Sequence, residues 1–170
     1  MKLILGLALA LPLATSMDVR AAEENLSHYP CNVFNPAACF RLPANTHLDY
    51  SVPADFDLYR VLKGDAEVAV IYVGSAPRRP EGSLEPRIIH MKGARAEVYD
   101  ALDGSRVEIL ISVRGADSKV HIISEIDPVV QREFVALLTG LRGCRYIRAG
   151  GQKCAAGQGW GELLVKAVRE

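Results

Sequence analysis

Four cysteines, Cys31, Cys39, Cys144 and Cys154, constrain this chain more than any other feature. They are even in number and follow an N-terminus of export type, so they read as a disulfide framework. Four cysteines allow three connectivities, and the spacing favours two local pairs. Cys31 and Cys39 flank NVFNPAA, in which Asn35-Pro36 is a turn signal. Cys144 and Cys154 flank RYIRAGGQK, with Gly150-Gly151 as the turn. Each pair would close a short loop, worth about 2–3 kcal/mol in the chain-entropy picture. Seven and nine residues separate the partners, wider than the C-x₂₋₄-C pairs that zinc prefers. No metal and no cofactor are expected.

The export signal itself is MKLILGLALALPLATSMDVRAAEE. Lys2 supplies a short basic start, residues 3–13 an apolar run, and Ala14-Thr15-Ser16 and Val19-Arg20-Ala21 two small-x-small cleavage patterns. The apolar run stops short of Asp18, below the roughly 20 residues a spanning helix needs. Residues 1–21 are therefore expected to be a cleaved signal, with cleavage near Ser16 or Ala21, and residues 22–170 one periplasmic or secreted domain. That mature chain carries 18 basic and 19 acidic residues. A near-neutral balance does not suit nucleic acid or an anionic membrane surface as a partner.

Residues 22–45 are polar and hold Pro30, Pro36 and Pro43, which predicts an irregular segment. Short strands follow: HLDYSV (47–52), FDLYRVLK (56–63) and AEVAVIYV (66–73). The third is apolar at nearly every position, as a central strand covered on both faces would be. RIIHMK (87–92), RAEVYDAL (95–102), RVEILISV (106–113) and KVHIISEI (119–126) continue the pattern. Asp103-Gly104 between two alternating runs predicts a hairpin. The period then changes. Val130, Phe134, Leu137, Leu138 and Leu141 form one helical stripe. Asp127-Pro128 reads as its N-cap and first turn, and Gly143 as its stop. A glycine-rich loop over 144–159 leads to a last helix, 162–170, offering Leu163, Leu164, Ala167 and Val168 to the core. The expected fold is α+β: an antiparallel sheet of five to six strands, one covering helix, a short last helix and two local disulfides. The pattern VP-x-x-F-x-L-Y (52–59) with the later YVG-x-x-P (72–77) resembles small exported α+β domains of the PsbP type, which implies architecture only.

Chemical motifs are scarce. His28, His47, His90 and His121 fall in no H-x-x-x-H or H-E-x-x-H pattern. His90 and His121 would share a site only if their strands were neighbours. Ser75 follows Gly74, but no G-x-S-x-G is present and Ala76-Pro77 comes next. The acids Asp100, Asp103, Glu108 and Glu125 have separations that the sequence leaves open. Trp160, the single tryptophan, stands between glycines. It is either an exposed anchor for a partner or a plug under the last helix. The segment YVGSAPRRPEGSLEPR (72–87) puts Arg78 and Arg79 between prolines. There they are candidate bidentate contacts to carboxylates on another envelope protein. Two readings follow: a non-catalytic binding module of the envelope (inhibitor, immunity or accessory protein), or a small periplasmic hydrolase with an unassigned site.

Overall fold

The computed structural model describes residues 31–147, 151–154 and 160–169. The export signal and the polar run that follows it to residue 30 lie outside the described residues. Among the described residues, eleven strands form two antiparallel sheets and two helices accompany them. A hairpin of β1 (Val33–Phe34) and β2 (Ala38–Phe40) arises within the segment expected to be irregular. Asn35 explains it: the Oδ1 of its side chain accepts hydrogen bonds from the backbone N–H groups of Ala37 and Ala38, at 3.1 and 2.8 Å. An asparagine-capped turn of this kind reverses the chain in a few residues.

The main sheet holds seven strands. β3 (His47–Ser51), β4 (Asp57–Lys63) and β5 (Ala66–Gly74) form one meander. β6 (Arg87–Met91), β7 (Ala94–Asp100), β8 (Arg106–Val113) and β9 (Lys119–Glu125) form another. The order is β3-β4-β5-β9-β8-β7-β6, so the meanders join where β9 pairs with β5. The β7–β8 turn is the Asp103-Gly104 hairpin read from the sequence. Gly104 has φ +69° there, which an L side chain resists.

Antiparallel register sorts the residues by face. Val61, Ile71, Val98, Ile109, Ile111 and Ile122 point to one side and are buried. Helix α1 (Gln131–Gly140) covers that side. Its stripe is the expected one: Val130, Phe134, Leu137, Leu138 and Leu141 are all buried in the same core. The helix is shorter than 128–142, however. Asp127 accepts from the Val129 N–H through its side chain and from the Gln131 N–H through its carbonyl. It therefore shapes a turn before the helix, and Val130 takes the cap position. At the other end the chain turns extended at Leu141. Gly143 does not stop the helix; it lies in the strand that follows.

That strand, β10 (Arg142–Ile147), and β11 (Gly151–Cys154) form a hairpin in place of the expected loop. β10 also pairs with β2, giving a second sheet of order β1-β2-β10-β11. The single sheet expected from the sequence is thus two. The last helix, α2 (Gly161–Arg169), buries Leu164 and Ala167, while Leu163 faces solvent. At 100° per residue, Leu164, Ala167 and Val168 share a stripe that Leu163 falls outside. Both disulfides form the expected local pairs, Cys31–Cys39 and Cys144–Cys154. They fit an oxidising compartment. No helix among the described residues is long and apolar enough to cross a membrane.

Leu138→Ala, which empties a fully buried position, is expected to cost about 2–5 kcal/mol of stability. Arg132→Ala, on the exposed side of α1, should cost under about 0.5 kcal/mol. Urea denaturation of the two variants checks the difference; equal midpoints would mean that the stripe does not carry the core.

Candidate functional site

The opposite face of the main sheet is mixed, with Val70, Leu110 and Ile123 among its polar groups, and its centre is closed off. Register sets Glu108 and Leu110 of β8 beside Ile123 and His121 of β9. The same register sets Tyr99 and Glu97 of β7 beside Glu108 and Leu110. Glu108 and His121 are each only 6% exposed. A buried carboxylate needs partners, and Glu108 has two. Its Oε2 accepts from His121 Nε2 at 2.8 Å, and its Oε1 pairs with the Arg106 guanidinium at 3.0 Å. A carboxylate beside an arginine accepts and does not donate, so Nε2 carries the imidazole proton. Burial pushes the His121 pKa down, Glu108 opposes that shift, and Arg106 reinforces it. The ring is therefore neutral at ordinary pH.

A second group lies alongside. The Tyr99 hydroxyl donates to Glu97 at 2.5 Å, and Arg95 pairs with the same carboxylate at 3.1 Å. Burial and then Glu97 push the Tyr99 phenol up, while Arg79 and Arg95 pull it down. Arg79 belongs to the connection 75–86.

Sheet order explains why the connection is long. β5 ends at Gly74, beside the start of β9, whereas β6 begins at the far edge. The chain must pass four strand spacings, about 19 Å. It must also move toward the opposite end of the strands, where Ser83 bridges Ala101 and the Leu84 N–H donates to the Asp100 carbonyl. Twelve residues extend at most about 40 Å, so the length is used by the crossing. Arg78 and Arg79 are exposed along it, while Pro77, Pro80 and Pro86 are half-buried. Neither arginine makes an ion pair among the described residues, with Glu81 and Glu85 included.

The remaining candidates fall elsewhere. His90 is exposed on edge strand β6, with β7 and β8 between it and His121, so the two histidines do not meet. Trp160 is 5% exposed and packed in the core. Its indole N–H donates to the Lys92 carbonyl at 3.4 Å, and its ring occupies the space that a Cβ on Gly143 would need. Little of it is left for a partner. The Glu108–His121 pair was not read as a unit from the sequence. The signal was present: each is a polar residue flanked by apolar ones, in RVEILISV and KVHIISEI, and the two runs were expected to be consecutive antiparallel strands. No protein-family model, curated protein or solved structure matches the chain. The resemblance to PsbP-type domains gains no support from them.

Because folding holds the His121 pKa below its unfolded value, near 6.5, the unfolded chain takes up a proton that the folded one refuses. Stability is then complete above about pH 6.5 and falls as the pH drops below it, toward the depressed value. His121→Gln keeps an N–H for Glu108 and cannot titrate. Urea midpoints between pH 5 and 7 should fall less steeply for this variant than for the parent; parallel curves would remove His121 as the cause.

Proposed function

We propose that this chain is an exported protein of the periplasm or cell exterior that acts as a non-catalytic binding module. It would serve as an inhibitor, immunity or accessory protein, with the connection 75–86 as its contact surface. The observation that carries this reading is the pair Arg78 and Arg79. Two guanidinium groups stand exposed, without carboxylate partners among the described residues, on a segment whose prolines pack down. Sheet topology accounts for the length of the connection but not for two exposed arginines within it. A proline-braced segment pinned at Gly74 and Ser83 loses little entropy on docking. Guanidinium groups held on it offer bidentate bonds to the carboxylates of a partner. Where the connection ends, Leu84 and Leu102 flank the Ser83–Ala101 bridge diagonally and are 52% and 69% exposed. The Leu102 N–H donates to the Gly82 carbonyl and holds them there. Exposed apolar and cationic side chains are both of the kind that protein-binding surfaces use.

The hydrolase alternative has less behind it. Glu108 orients His121 as a carboxylate orients a catalytic histidine, but both are closed off, and burial disfavours the imidazolium that a general base must form.

Capture of an envelope partner by the mature protein is expected to weaken about tenfold or more in Arg78→Ala/Arg79→Ala, the loss of one or two charge-assisted bonds. Thermal stability should be unchanged, because both side chains are exposed. Pull-down from envelope extract, with the bound protein quantified by mass spectrometry, measures it. Undiminished capture would reduce the segment to a connection.

A further inference from the structure

The small sheet gathers its sulfurs on one face. Cys144 and Cys154 are direct cross-strand partners, and Cys39 is the partner of Arg142. Side chains alternate along a strand, so Cys144, two residues after Arg142, shares the face of Cys39. The Sγ atoms of Cys39, Cys144 and Cys154 all lie within 4.8 Å of one another, although they belong to two different disulfides. Access is graded. Cys31 and Cys39 are fully buried, Cys144 is nearly so, and Cys154 is half-buried. The backbone holds β2 against β10 whatever the sulfurs do: Cys39 faces Arg142, the Cys144 N–H donates to the Ala37 carbonyl at 2.9 Å, and Cys39 and Cys144 are diagonal neighbours on one face.

We propose that the two bridges form one exchange unit, in which a dithiol reductant that opens Cys144–Cys154 leaves the protein with a Cys39–Cys144 bond. One thiolate of the dithiol attacks Sγ of Cys154, the accessible sulfur. A mixed disulfide forms, and Cys144 leaves as a thiolate. Exchange needs only a thiolate beside a disulfide sulfur, and Cys39 Sγ is the neighbour within reach. Cys144 bonds to it, the Cys31–Cys39 bond breaks, and Cys31 leaves as a thiolate that takes up a proton. The second thiol of the reductant then attacks the reductant's own sulfur in the mixed disulfide, expelling Cys154, which is protonated in turn. Two electrons and two protons have passed. Two disulfides and one dithiol have become one disulfide, two protein thiols and one oxidised reductant.

The product differs in kind from the oxidised form. The original bonds span sequence separations of 8 and 10 residues. A bond from Cys39 to Cys144 closes most of the chain, and longer loops restrain the unfolded state more. The two-electron-reduced protein thus keeps its small sheet cross-linked between hairpins. It releases Cys31, the point where the described chain enters the fold.

Oxidised protein treated with one equivalent of dithiothreitol, quenched with acid, alkylated and digested without further reduction tests this. The expected map has Cys31 and Cys154 alkylated and the peptides of Cys39 and Cys144 joined. Alkylation of Cys144 and Cys154 with Cys31–Cys39 intact would overturn the proposal. The variant Cys31→Ser/Cys154→Ser gives a second reading. Purified in air and folded by circular dichroism, it should show no free thiol and one bond, Cys39–Cys144. Two free thiols in the folded variant would equally overturn it.

Discussion

The apolar stripe of α1 and the apolar face of the main sheet share one core, and the rest of the molecule is arranged around that contact. Leu137 and Leu138 on the helix, Leu141 at its C-cap, and Ile71, Ile109, Ile111 and Ile122 on the sheet are each under 2% exposed. Burying one such side chain is worth about 1.5–3 kcal/mol relative to leaving it in water. Among the described residues, the other buried cluster holds only the disulfide cysteines. The small sheet closes this core with Phe40, whose ring meets Tyr59 of β4 edge to face at 6.1 Å. Strands of two, three, four and six residues bury too little to persist alone. The two disulfides fit that weakness, because both staple the small sheet and neither touches the large one.

The two faces of the main sheet therefore do different work. One is filled by aliphatic side chains beneath α1. The other holds carboxylates, each met by an arginine and by a second donor: Arg106 and His121 for Glu108, Arg95 and Tyr99 for Glu97. Such pairs add little net stability on their own, since desolvation offsets the attraction, but removing one partner strands a buried charge. Polar groups held this way fix strand register, because a slip of one residue would send Glu108 into the aliphatic side.

Much of this was legible in the sequence, and the parts that were not have a common cause. Strands β3 to β9 and the stripe of α1 announce themselves by periods of two and of 3.6, which are local properties. The disulfide pairing also followed from local spacing. Strand order is not local: nothing within KVHIISEI says that it returns to AEVAVIYV rather than stopping beside RVEILISV alone. The β10–β11 hairpin escaped because Gly143, Gly150 and Gly151 dilute its strand pattern. Its strand character comes from pairing with β2, about a hundred residues earlier in the chain. Leu163 misled for a related reason: hydrophobicity in a short last helix does not fix which side will face the core. The closeness of the two disulfides was hidden in the same way, since spacing describes each pair and says nothing of the distance between pairs.

Joining two meanders at a single seam shapes how the domain assembles. Each meander pairs neighbouring strands, whereas the β5–β9 seam joins segments about fifty residues apart and closes the sheet only when they meet. Until then each presents an open edge in the middle of what will become the core, with Val68, Ile71, Val120 and Ile122 exposed along it. Such edges are templates for other chains as much as for each other. Contacts between distant segments also form late, because the ordering of the intervening chain comes first. The edges most open to misassembly are therefore those of β5 and β9, for as long as the seam between them stays open.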